Sequence, residues 1–274
     1  VERGATLKTS FGRVSASDVI GAVNLSSRSG EVTARRIAAG DQAISLQTDF
    51  GDVTLEEAAA GQVTIETRSG GVSLVEVNAS GPVSLKSDFG KISFKGGSAG
   101  GLNAETKSGD VTLSQVSAGD SVTANSRFGS VSLTGVTAGA YTLTADSGKI
   151  NADGVQGSVT ARSKFGDIEL TGTGETTLDL NTDSGSVAYR GSLGDGPNKL
   201  HTGFGEVRVS LPADSEFDFD LSTDFGDIRS DFDVAISGEP DEQHWIGQVG
   251  SGGVKLEVST RSGGISLEKH TSGS

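Results

Sequence analysis

The sequence predicts an all-β chain wound as a right-handed parallel β-helix, a β-solenoid of about 20 residues per rung and roughly 13 or 14 rungs. Three observations carry this. A marker glycine recurs at gaps of 18 to 21 residues from Gly12 to Gly226. The residue before it alternates between Phe and Ser for most of the chain. Between the markers, apolar and polar residues alternate with period two, and no helical period appears.

The marker series begins Phe11-Gly12, Ser29-Gly30, Phe50-Gly51, Ser69-Gly70, Phe89-Gly90, Ser108-Gly109 and Phe128-Gly129. It continues through Ser147-Gly148, Phe165-Gly166, Ser184-Gly185 and Phe204-Gly205. The step breaks at Phe225-Gly226, and Ser262-Gly263 closes the series. These glycines and Phe11, Phe50, Phe89, Phe128, Phe165 and Phe204 are expected to be structural, each glycine taking φ > 0 in a corner where a Cβ would clash.

One rung illustrates the elements. Val53 and Leu55 alternate with Asp52, Thr54 and Glu56, which reads as a half-buried strand. Ala58 to Gly61 turns the chain. Val63 and Ile65 then alternate with Gln62, Thr64 and Glu66 before the next turn at Arg68-Ser69-Gly70. No segment is long enough for a crossover helix, so parallel pairing requires coiling, and about 98% of parallel connections are right-handed. At ~4.8 Å between strands, such a rod would be roughly 65 Å long.

Phe11, Phe50, Phe89 and Phe128 are 39 residues apart, which also permits a 39-residue coil. The residues before the markers argue against it. Arg28, Asp49, Arg68, Asp88 and Lys107 alternate in sign if one rung holds about twenty residues, whereas the longer coil stacks Arg28 on Arg68 on Lys107.

The chain is read as one solenoid over 1–267, with regular repeats to 210, irregular rungs or a cap over 211–267, an insertion at 230–253 and a flexible tail at 268–274. The irregular part holds Leu211-Pro212-Ala213, the run Phe217, Phe219 and Leu221, and the single Trp245. Terminal repeats of solenoids are commonly atypical because they close an open core.

Cys and Met are absent, which leaves no thiol chemistry and suggests a mature form or fragment whose export signal lies outside these residues. No apolar run reaches the ~18 residues of a membrane helix. Net charge is −14 and the Lys and Arg are dispersed, which excludes nucleic acid as a partner and fits attraction for cations or cationic peptides.

The phrases Thr-Asp-Phe-Gly-Asp-Val, Thr-Arg-Ser-Gly-Gly-Val and Thr-Lys-Ser-Gly-Asp-Val resemble the bacterial adhesin-type β-strand-repeat family called the toastrack domain. The ending is similar as well, through Leu211-Pro212-Ala213, Thr223 to Ile228, Gly250 to Val254 and Thr260 to Ile265. The resemblance covers nearly the whole chain. It implies a β-helix-like fold, a cell-envelope or surface setting and, in some members, sensing of envelope stress or antimicrobial peptides. It brings no catalytic residues.

Candidate chemistry is sparse. Asp49 with Asp52 and Asp224 with Asp227 could offer oxygen ligands to calcium, but the Gly-Gly-x-Gly-x-Asp repeat of calcium rolls is absent and solvated, ion-paired corners explain them as well. His201, His244 and His270 lack metal-ligand spacing. One Trp and two Tyr offer few platforms for a polysaccharide-cleaving site. The outward Thr and Ser column decays too early for an ice-binding face. Trp245 suits either a partner contact or a plug over the core. No cofactor is expected. The expected function is therefore a non-enzymatic surface or envelope scaffold or adhesin, extracellular after export. The alternatives are a cationic-peptide or envelope-stress module and a polysaccharide-active enzyme. Open strand edges at both ends would permit head-to-tail self-association.

Overall fold

The computed structural model describes residues 4–238 and 241–271, and the chain divides into two compact units, Val1–Gly139 and Ala140–Ser274. All regular structure is β, in parallel strands that coil as a solenoid with about 19 residues per turn.

In the first unit each turn has a leading strand that runs into the marker glycine and a trailing strand that leaves it. Ala43–Phe50 leads and Val53–Ala60 trails; Gln62–Ser69 and Val72–Ala79 follow. Leading strands pair in parallel with leading strands, so Ile44 and Leu46 lie beside Val63 and Ile65, which lie beside Val83 and Leu85. Trailing strands do the same, placing Val53 and Leu55 on Val72 and Leu74, then on Ile92 and Phe94. Phe50 neighbours Ser69, not Phe89, so the coil closes once per marker glycine and the 39-residue alternative is excluded. The charge column behaves accordingly: Lys107 Nζ lies 2.8 Å from Asp88 Oδ1 across one turn.

Period-two alternation turns every second residue inward, and these stacked Val, Leu and Ile side chains are essentially fully buried. Each contributes about 1.5–3 kcal/mol by leaving water. A second, polar column is buried beside them. The residue three positions before every marker except Gly148 is Ser or Thr, and in successive turns its hydroxyl donates to the carbonyl of the marker glycine one turn back: Thr48 to Gly30 at 3.0 Å, Thr67 to Gly51 at 3.0 Å, Ser87 to Gly70 at 2.9 Å and Thr106 to Gly90 at 2.9 Å. The corner carbonyls are thereby satisfied where water cannot reach them.

The markers must be glycine because of close approach more than because of φ. A Cβ at Gly90 would collide with the carbonyl oxygen of Gly70 one turn back, and Gly90 does not have positive φ. Gly12, which opens the column, would meet nothing. The expectation of φ > 0 throughout therefore holds at some markers only, such as Gly12 at 96° and Gly109 at 145°. Left-handed residues appear instead inside the trailing strands, where Asp18, Arg36, Glu57, Glu76 and Gln115 have φ of 50–57° and bend the strand. Asp18 accepts two hydrogen bonds from Arg36 of the next turn, at 2.7 and 2.8 Å.

The second unit coils in the same manner but with strands that run through corners, Ile150–Ser163 and Ile168–Ser184. Its end departs from chain order. Val254–Ser262 lies between Asn198–Phe204 and Phe217–Phe225, parallel to both. Ile265–His270 likewise lies between Val207–Pro212 and Ile228–Ser230. The last segment of the chain thus slots under an earlier one. His244–Val249 then runs antiparallel along Phe217–Phe225, and Val234–Ile236 antiparallel along it in turn.

This arrangement corrects two expectations and gives a third its form. Glu268 to His270 are strand, not tail, and Ala213 N–H donates to His270 O at 3.2 Å; residues 272–274 lie outside the described residues. The strand edge of Phe217–Phe225 is covered by the antiparallel hairpin, so open edges at both ends, the basis for head-to-tail stacking, are not found there. The insertion expected at 230–253 holds the two strands of that hairpin.

Candidate interaction surface

Inward alternation through Ile44, Leu46 and Thr48 would send Phe50 into the core, but the chain turns at Gly51 and swings the ring outside. The same happens at every corner. Phe11, Phe50, Phe89, Phe128, Phe165, Phe204 and Phe225 are 52–77% exposed. All but Phe225 are expected from the sequence to be structural, yet the seven contribute little to the core. In register, the first unit presents Phe11, Ser29, Phe50, Ser69, Phe89 and Ser108 as one outward column. With ~4.8 Å between strands, successive rings lie about 10 Å apart with a small polar side chain between them.

The second unit repeats the column and explains the broken step in the sequence. Phe204 neighbours Ser262, and Ser262 neighbours Phe225. The alternation lost along the chain is restored in space by the intercalated last segment. Arg261, on the serine turn, lies over the Phe204 ring at 5.7 Å from its centroid, a cation–π contact.

Charges flank the ladder. The hydrogen bond from Lys107 holds Asp88 below its ordinary carboxylate value, assisted by the charges of Lys107, Lys86 and Arg68 and opposed by burial. Lys164 pairs with Asp146 at 3.2 Å. Of the four carboxylates considered for calcium, Asp52 Oδ1 instead accepts the Gly71 amide at 2.7 Å, and Asp227 pairs with Arg229 at 3.0 Å. Asp49 lines a shallow groove with Arg68 and Lys86, and Asp224 is exposed. Among the described residues no three His, Asp or Glu side chains converge as a metal site would require.

The remaining candidates lie elsewhere. Trp245 is half-buried on the hairpin opposite buried Leu221, on the face turned toward the core. Gly247 on the same strand leaves room for the Phe219 ring, and Phe217 packs edge-on against Phe219 and Phe232 at 6.4 and 5.5 Å. The geometry is that of a plug. His244 faces outward to Asp220 at 2.9 Å, and His201 meets Ser259 at 2.8 Å. Tyr141 and Tyr189 are buried; burial pushes the Tyr189 phenol up to about 12, with a hydrogen bond involving Thr176 acting against it, and its hydroxyl donates to Ser192 O at 2.7 Å.

Sequence reasoning missed the display of the rings, although a signal was present. A packed core position cannot hold Phe in one turn and Ser in the next without leaving a void, so the alternation itself marks an outward column.

A β-solenoid with glycine-marked turns and this closing segment is what comparison with known families tests. The profile of the family Toastrack DUF4097 matches residues 5–95 and again 81–268. The chain belongs to the toastrack family. No curated protein and no solved structure matches it. The toastrack coil is here a repeat scaffold, and among the described residues no helix is long and apolar enough to cross a membrane.

Proposed function

We propose that this toastrack chain is a non-enzymatic interaction scaffold of the bacterial cell surface or envelope, extracellular after export, in the manner of an adhesin. The observation that carries the reading is the exposed Phe/Ser ladder. Seven rings more than half exposed are costly to keep in water and unnecessary to the fold, whereas periodic presentation on a stiff coil suits contact with another surface. The scaffold supplies rigidity through its stacked core, and the corners supply the contact. Replacing Phe50 and Phe89 by Ser is expected to abolish retention on cell-envelope preparations without lowering the melting temperature. Retention that survives this replacement would refute the assignment of the ladder as the contact surface.

A second reading has its own support. Residues 214–242 carry eleven carboxylates against the single Arg229, a large share of the chain's net charge of −14. A strongly acidic segment of this kind attracts cationic peptides. Binding of a polylysine-type peptide that weakens steeply between 50 and about 300 mM salt would support it. Salt-independent binding, or none, would remove it.

A further inference from the structure

Resting on the reading of the ladder as a contact surface, we propose that its occupant, in the first unit, is the same ladder of a second copy, running antiparallel. The surface is self-complementary in two properties at once. Phe and Ser alternate by turn, so a ring of one copy fits over a serine of the other when the two are offset by one turn. From Ser29 to Ser108 the residue preceding the marker alternates in charge in step with this: Phe50 and Phe89 follow Asp49 and Asp88, while Ser29, Ser69 and Ser108 follow Arg28, Arg68 and Lys107.

A two-fold axis perpendicular to the ladder reverses the order of turns while keeping each column against itself, which is the isologous arrangement commonest in homodimers. Placed midway between the turns of Phe50 and Ser69, it sets Phe50 against Ser69, Phe89 against Ser29 and Phe11 against Ser108 of the second copy. The same axis sets Asp49 against Arg68, Asp88 against Arg28 and Ser10 against Lys107. No like charges meet. Moving the axis up one turn would bring Arg28 against Arg127, and moving it up two would bring Arg68 against Arg127. A two-fold parallel to the ladder would instead put ring on ring at equal height. Moving it down one turn also avoids like charges but engages only two rings per copy, Phe11 and Phe50, so shape, charge and extent of overlap together select one register. Three half-exposed or more exposed rings per copy, with the flanking Arg and Asp side chains, bury less than the ~800 Å² per partner of a standard interface, which fits a reversible dimer.

Sedimentation equilibrium of the whole chain over micromolar to millimolar concentration tests this. A reversible dimer is expected, its dissociation constant raised at least tenfold by Phe50→Ser and again by Phe89→Ser. Ile246→Ser, which removes an exposed apolar residue from the outer face of the hairpin, is expected to leave it unchanged. Asp49→Arg should weaken the dimer and Asp49→Arg with Arg68→Asp should restore it, because the proposed register pairs these two positions across the axis. A chain that stays monomeric throughout, or a dimer indifferent to the ladder variants, overturns the proposal. If the monomer nevertheless loses retention on envelope preparations when the rings are removed, the contact reading stands and the occupant is a different molecule.

Discussion

Phe50, at a corner of the first unit, is 52% exposed, whereas Phe219, beneath the hairpin of the second, is 2% exposed. The two differ in direction, since the turn at Gly51 swings Phe50 outward while Phe219 keeps the inward alternation of its strand, and in what the chain stacks beside them. Phe50 stands between Ser29 and Ser69, which are too short to cover it. Phe219 lies between Leu256 on one side and Gly247 on the other, with Phe217 edge-on. A solenoid assigns the value of a residue by column, and the end of the coil rewrites the columns by placing antiparallel strands across them. The corner rings are therefore free for display, and the cap rings close the core.

The sharpest way to break this contrast is truncation. Phe219→Ala is expected to cost about 3–5 kcal/mol, read by urea denaturation, because it empties a filled site. Phe50→Ala should cost less than about 0.5 kcal/mol in the same assay. Equal losses would mean that the ladder is part of the core.

The close approach of the markers comes next. Gly90→Ala is expected to destabilise by roughly 1–3 kcal/mol, since the new methyl meets the backbone oxygen of Gly70, which cannot rotate away. Wild-type stability for this variant would show that the turns are more widely spaced than described.

The buried hydroxyl column should respond more mildly. Thr67→Val keeps the shape and removes the donor to Gly51 O, at an expected loss of about 1–2 kcal/mol. No loss would mean that the corner carbonyl finds another partner.

The smallest effect separates by pH. The Tyr189 phenol is raised from 10.0 to about 12, so folding favours its protonated form. Its stabilising contribution is complete below pH 10 and is lost as pH rises through about 12. Tyr189→Phe should be less stable than wild type at neutral pH by about 1 kcal/mol, the hydrogen bond to Ser192, and the gap should narrow between pH 10 and 12. A constant gap would contradict the burial of the hydroxyl.

Much of this architecture was legible in the chain. The glycine period and the two-residue alternation of Val53, Leu55, Val63 and Ile65 specify stacked parallel strands, and the signs of Arg28, Asp49 and Arg68 select one turn per marker. Two things were not read. Thr48 and Thr67 look like ordinary β-branched strand residues, and only the stacked carbonyls beneath them show why a hydroxyl is needed. The order of the final turns depends on Val254–Ser262 pairing along both of its edges, a long-range choice that local pattern does not encode. A trace of it survives in the two consecutive phenylalanine markers, Phe204 and Phe225, which Ser262 separates in space.

Incorporating fluorophenylalanine and recording ¹⁹F spectra with a soluble paramagnetic agent, at a concentration where the chain is monomeric, tests the central division most directly. Of the eleven phenylalanines, the seven corner rings should broaden strongly, while Phe94, Phe217, Phe219 and Phe232 stay sharp. Uniform protection, or broadening confined to one or two rings, would contradict the account of an outward ladder beside a filled core.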